Sequence, residues 1–139
     1  MNNYVVGFAF TEDKQSVLLV SKLRPDWQIG FLNGIGGKIE DRETPLRAMN
    51  RECYEETGLI LNWSGCGIMH GQNNDGSDFT CLIFKCFNDK VIKYKQIEDE
   101  QLSLYLSDTI NQLKVIENLK FIIPFILCED NSNHITVSY

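Results

Sequence analysis

Three glutamates crowd a single turn of a predicted helix. Glu52, Glu55 and Glu56 stand at positions i, i+3 and i+4 of a segment that opens on Thr44 and Pro45 and closes on Gly58. Thr44 suits an N-cap, Pro45 the first helical position and Gly58 the residue just past the last turn. Leu46, Met49 and Cys53 recur at helical spacing, so the segment is expected to turn them toward a core. The three carboxylates then share one face, where like charges at this spacing oppose helix formation. A divalent cation relieves that repulsion, and carboxylate oxygens suit a hard ion such as Mg²⁺ or Mn²⁺. The plainer alternative is a solvated acidic face steadied by Arg51, which is i,i+4 to Glu55. The glycine-rich lead-in weighs against it. Gly34, Gly36 and Gly37 run toward the helix, and glycine permits close backbone approach, so the Gly36 carbonyl can join a metal shell.

Around this segment the chain alternates strands and helices. Residues 4–10 and 17–20 read as a hairpin, and 63–70 and 78–87 as a further pair of strands. Residues 103–106 and 134–138 read as shorter strands, the last at a sheet edge. Helices are expected over 108–114 and 118–127, with Pro124 kinking or shortening the second. Strands with helices between and after them favour an α/β sandwich. The 139 residues fit one domain, residues 1–139, and 43% of them are hydrophobic, an ordinary globular composition.

The net charge of −6 argues against binding a nucleic-acid polymer, which needs Lys/Arg surfaces. A small anionic substrate remains compatible if a metal screens the local acid. No apolar run approaches the ~20 residues that span a bilayer, and the N-terminus lacks a signal-peptide pattern, so no membrane partner is expected. The cysteines number five, with no Cys-x-x-Cys spacing, so they read as small core residues in a reducing, cytoplasmic setting.

The segment from Gly37 to Leu59 resembles the Nudix box: glycine, five residues, glutamate, seven residues, Arg-Glu, an apolar residue, any residue, Glu-Glu, any residue, glycine and an aliphatic residue. The chain supplies Gly37, Glu43, Arg51, Glu52, Cys53, Glu55, Glu56, Gly58 and Leu59 in register. With seven identities at about one in 15 each, a chance match has odds on the order of 10⁻⁸ per starting position. Cys53 stands where a larger apolar side chain is usual, and implies changed packing and not lost chemistry.

The resemblance implies a Nudix fold, an α/β/α sandwich around a mixed sheet. It implies Mg²⁺-dependent hydrolysis of a diphosphate bond in a nucleotide-type substrate, by a monomer or homodimer. Glu52, Glu55, Glu56 and the Gly36 carbonyl would hold Mg²⁺ (or Mn²⁺), and Lys38 would lie near the phosphates. Glu43 and Arg51 would form a structural salt bridge between loop and helix. A carboxylate from a later loop often completes the metal site or acts as base in the family, and Glu100 is the choice here.

The flanks bear on the substrate. Residues 24–28 and 32–38 look like the lead-in of enzymes related to oxidised-purine nucleoside triphosphatases, in which an asparagine placed like Asn33 contacts the base. Asn33 also reads as a turn residue before Gly34. Asn118, near which relatives place a base-reading group, also reads as a plain N-cap. Trp27 can stack on a base or simply sit half-buried in a loop. The leading expectation is therefore hydrolysis of a purine nucleoside triphosphate, of the 8-oxo-dGTP kind, to a monophosphate and pyrophosphate. ADP-ribose or dinucleoside polyphosphate hydrolysis is the enzymatic alternative. A catalytically silent nucleotide-binding domain is the alternative of another class.

Overall fold

A computed structural model describes residues 2–128 and 134–138. In chain order the strands are β1 (Asn2–Phe10), β2 (Ser16–Ser21), β3 (Leu32–Asn33) and β4 (Ile35–Lys38), followed by helix α1 (Pro45–Thr57). Then come β5 (Ser64–Gln72), β6 (Asp78–Phe87), β7 (Gln101–Leu106), helix α2 (Leu119–Leu127) and β8 (Ile135–Ser138). The strands form one mixed sheet in the order β3-β2-β1-β6-β5-β8, with β4 on β1 and β7 on β2.

Period-2 alternation divides the core between the two faces of this sheet. Along β1, Val6, Phe8 and Phe10 face one way, while Val5 and Ala9 face the other. Along β2, Val17 and Leu19 join the first set, and Leu18 and Val20 the second. The first face is covered by α2 through Leu119, Ile122, Ile123 and Ile126. The second is covered by α1 through Ala48, Met49 and Cys53. Each large apolar side chain buried this way contributes roughly 1.5–3 kcal/mol, so both helices are held by packing and not by propensity. The result is the α/β/α sandwich expected from the alternation of elements.

Local details differ from the sequence reading. Leu46 lies in the first turn of α1, outside the buried clusters, and stays 47% exposed, whereas Met49 and Cys53 are wholly buried. Residues 108–114 do not form an α-helix; a 3-10 segment, Ser107–Gln112, replaces it. Pro124 neither ends nor shortens α2, which runs to Leu127. The Cys53 thiol uses its small size to sit 3.6 Å from the Thr57 hydroxyl and 3.5 Å from the Leu59 carbonyl, bracing the end of α1.

The feature that positions the site is a fork at β1. The predicted hairpin forms, but β2 pairs with β1 only at Ala9 and Phe10. The other half of that edge, Tyr4 to Gly7, pairs instead with β4. Gly36 thereby lies opposite Val6, and Gly37 opposite Val5. A side chain at Gly36 would run into the Val5 carbonyl, so only glycine lets this strand close on β1.

Candidate active site

Helix α1 is set as its sequence dictates. The Thr44 hydroxyl accepts a hydrogen bond from the Arg47 amide at 3.2 Å, and Gly58 takes the left-handed conformation, φ 73°, that ends the helix. With Met49 and Cys53 turned inward, Glu52 and Glu56 fall on the flank beside the glycine strand, and Glu55 points further out. Glu56 is 8% exposed, while the Glu55 side chain is 52% exposed.

Arg51 holds this flank to the loop before it. Its Nε and Nη2 donate to the two oxygens of Glu43 at 2.7 and 2.9 Å, a bidentate pair. Nη2 also donates to the Lys38 carbonyl at 3.0 Å, while Nη1 reaches Glu52 at 2.9 Å and Glu55 at 3.4 Å. The guanidinium keeps the Glu43 carboxyl down at about 2. Gly37 lies directly against the Glu52 carboxylate, in space that any side chain at position 37 would take.

Glu56 is the electrostatic anomaly. Its Oε2 is buried with no hydrogen-bond partner. Burial first, then the neighbouring Glu52, push its carboxyl up to about 8, with Lys22 opposing and Glu98 and Glu100 adding to the rise. Burial also raises Glu52, against the pull of Arg51. An orphaned carboxyl oxygen beside a second, half-buried carboxylate and a glycine cradle fits a hard divalent cation, which would supply the missing partner and offset the repulsion. Glu52, Glu56 and the Gly36 carbonyl are the groups best placed to hold it, with Glu55 on the outer side. Among the described residues, no three acidic side chains are already gathered into a ligand cage.

A cavity of about 470 Å³ opens beside this cluster. Gly36 and Gly37 form part of its wall, together with Asn33, Asn118, Gln28 and Trp27. Asn33 is a strand residue paired with Val20, not a turn residue. Its Oδ1 accepts from the Gly34 amide at 2.8 Å, and its Nδ2 donates to the Gln28 Oε1 at 3.2 Å. Because Gly34 N–H can only donate, the amide orientation of Asn33 follows. Asn118 does not cap α2 with its side chain. Its backbone is already helical, φ −60° and ψ −27°, and its Nδ2 lies 3.3 Å from the Met69 sulfur, a weak acceptor. Trp27 is 63% exposed at the cavity mouth.

The family model for the NUDIX domain matches residues 1–104, three-quarters of the chain, and spans all of these groups except Asn118. The chain belongs to the Nudix family. It is a Nudix hydrolase, a class that generally uses divalent metal ions. A search of curated proteins returned no match. Among solved structures, a MutT protein from Bacillus halodurans is 23% identical with a TM-score of 0.76, covering 100% of this chain and 90% of its own. A MutT protein from Methanosarcina mazei is 17% identical with a TM-score of 0.73, covering 88% and 90%. The NUDIX domain of Shewanella oneidensis NrtR, complexed with ADP ribose, is 17% identical with a TM-score of 0.71, covering 88% and 83%. At these identities the likeness is one of fold.

Within the Nudix site the acidic trio 98–100 divides its work. Glu100 Oε1 meets Lys22 Nζ at 3.1 Å, and its Oε2 accepts from the Leu23 and Arg24 amides at 2.7 and 3.3 Å. Three donors thus occupy the carboxylate that the sequence suggested as base. Glu98 and Asp99 are both exposed, and of the two it is Glu98 whose charge acts on Glu52 and Glu56. Spacing cannot choose among three consecutive acids. Gln28 lines the cavity beside Asn33, a placement that a loop glutamine does not signal in sequence. Lys38 ends β4, its carbonyl bound by Arg51.

Gly37→Ala tests the cradle. The new methyl group meets the end of the Glu52 side chain, not backbone, so the metal-free protein should melt close to wild type. Displacing Glu52 should weaken Mn²⁺ binding by at least about tenfold, the scale of a misplaced ligand. Unchanged affinity in a Mn²⁺ titration would take Glu52 out of the metal site.

Proposed function

We propose that the protein is a Mg²⁺- or Mn²⁺-dependent nucleoside triphosphate diphosphatase acting on a purine nucleotide, releasing a nucleoside monophosphate and pyrophosphate. The observation that carries this reading is one cavity whose wall runs from Gly36 and Gly37, beside Glu52, to the amides of Asn33, Gln28 and Asn118. One end suits phosphates and metal, the other the edge of a base, and an amide donates and accepts in one plane as a purine edge requires.

A divalent ion bound there would supply positive charge to polarise phosphorus and to lower the pKa of an attacking water. Glu52, Glu56 and the Gly36 carbonyl would hold the ion, and the half-exposed Glu55 would complete the carboxylate set. Glu98, exposed and with its charge acting on Glu52 and Glu56, is the carboxylate that this reading assigns to take the proton from the attacking water. Lys22, Arg24 and Lys38 offset the phosphate charge, and Trp27 covers the base by stacking. Glu43 and Arg51 stay outside the chemistry and keep loop and helix together. A single cytoplasmic domain, as monomer or homodimer, is sufficient for this chemistry.

The test is a panel of nucleotides assayed with Mg²⁺, Mn²⁺ or chelator. Purine triphosphates should be turned over fastest, and none after metal removal. Asn33→Ala and Asn118→Ala should each raise KM for the preferred purine and flatten the purine/pyrimidine ratio. The scale is about 1–3 kcal/mol per unpaired buried group. Because Asn118 makes no side-chain cap, its alanine variant reports on the base without a helix-capping artefact. Intact base preference in both variants overturns the purine reading. ADP-ribose or a dinucleoside polyphosphate would then lead, a reading favoured by the ADP-ribose complex of the Shewanella domain. Tight nucleotide binding with no turnover would make this a silent binding domain.

A further inference from the structure

The loop of residues 22–31 carries Trp27 and Gln28 to the base end of the cavity. It is closed at its neck by two backbone hydrogen bonds, Lys22 N to the Phe31 carbonyl and Gly30 N to the Lys22 carbonyl, both 2.9 Å. Glu100 grips that neck. It takes Lys22 Nζ on one oxygen and the Leu23 and Arg24 amides on the other, and only 10% of its side chain is exposed. Next to it, Asp99 takes the Arg24 guanidinium on both oxygens at 3.2 and 2.6 Å. The acidic loop is itself braced by Gln96. Its Nε2 donates to the Glu98 and Glu100 carbonyls, and its Oε1 accepts from the Leu102 amide, each at 2.8 Å. The loop that brings Trp27 and Gln28 to the cavity is therefore fastened to the loop that carries Glu98, with Lys22 joining the two through Glu100.

We propose that Glu100 is a positioning residue that locks the 22–31 loop to residues 96–100, so that a base held at Asn33 and Gln28 sets the place of Lys22 and Glu98 beside Glu52 and Glu56. This inference rests on the nucleotide-hydrolase reading above. Its consequence is that base contacts govern kcat as well as KM. Binding energy gathered at the base is spent on arranging groups at the phosphates.

Two variants test it. Glu100→Gln keeps volume and one acceptor but loses the charge that holds Lys22. Asp99→Asn alters only the exposed Arg24 pair and carries little folding risk. Each is compared with wild type on a purine nucleoside triphosphate and on ribose 5-triphosphate, which lacks the base. In wild type, removing the base should lower kcat by about tenfold as well as raise KM, the size that couplings within one hydrogen-bonded network reach. In Glu100→Gln, kcat should fall to the same low value on both substrates while Mn²⁺ affinity stays unchanged; Asp99→Asn should move the same way by less.

Hydrogen exchange supplies a readout independent of turnover. A non-hydrolysable purine triphosphate, without metal, should protect residues 96–100 in wild type but not in Glu100→Gln. Faster exchange at Leu23 and Arg24 should mark the opened clasp. If Glu100→Gln abolishes turnover of both substrates and weakens Mn²⁺ binding, Glu100 is a ligand or base and the proposal is wrong. It is equally wrong if the variant keeps the base dependence of kcat or the nucleotide protection of 96–100. A wild type that turns over no nucleotide yet shows that protection would overturn the hydrolase reading alone.

Discussion

Glu56→Gln should lower turnover by about 10²–10⁴-fold, the range in which one positioned charge or acid–base group contributes, while the metal-free protein folds normally. The buried Glu56 carboxyl faces Glu52, Lys22, Glu98 and Glu100, and lies at about 8 against an ordinary 4.5. Between those values the folded protein keeps a proton that the unfolded chain has released. The stability that the protonated Glu56 contributes to the metal-free protein is therefore full below pH 4.5 and is lost as pH rises through about 8. Each unit of that difference is worth ~1.4 kcal/mol, so the slope is measurable by denaturant unfolding from pH 5 to 9. Glutamine cannot ionise, so the variant should show a flatter profile and exceed wild type at pH 9. Adding Mg²⁺ should reverse the order, because only the carboxylate gains from the ion. Glu55→Gln should lose rate without the stability signature, since its side chain is half exposed. A Glu56→Gln enzyme with near-native turnover, or a wild type with no pH slope, would remove Glu56 from the proposed metal site.

Arg51→Met should be the most destabilising single change in the site. The guanidinium lies within 4 Å of four carboxylates, those of Glu40, Glu43, Glu52 and Glu55, and also binds the Lys38 carbonyl. Breaking a fully buried pair costs about 3–5 kcal/mol and an exposed one about 0–1. With Arg51 23% exposed and Glu43 14%, the expected loss lies between these ranges, at about 2–4 kcal/mol. A divalent cation should recover part of it, since it replaces the positive charge between Glu52 and Glu55. Glu43→Gln should cost less and should not be rescued, because Glu43 faces Arg51 and the Glu40 amide. The Glu43 pair should also weaken in acid, its contribution being present above pH 4.5 and lost as pH falls toward about 2. Thermal melts of both variants, with and without Mg²⁺, decide this. Unchanged melting of Glu43→Gln together with lost metal binding would make Glu43 a ligand.

What the sequence by itself determined is local. Helix α1 begins at Thr44-Pro45 and ends at Gly58 because capping, a fixed proline φ and a left-handed glycine are properties of short stretches of chain. The shared flank of Glu52 and Glu56 follows from helical periodicity alone, and the α/β/α layering from strands that alternate and helices that do not. The box reads clearly because its residues are close in sequence. Tertiary structure decided everything that depends on partners far along the chain. Glu100 and Glu98 are indistinguishable as neighbours in an acidic trio. Glu100 turns to amides 76 and 77 residues away, while Glu98 stays exposed with its charge acting on the helix glutamates. Asn118 looks like a cap by residue type, yet a preceding turn makes its backbone helical and sends its amide to Met69, 49 residues away. Gln28 accepts from the Asn33 amide because Asn33 turns its own oxygen to the Gly34 N–H. Hydrogen-bond partners in a folded site are assigned by competition among donors brought together from distant segments, and a linear pattern carries no record of which donor arrives first.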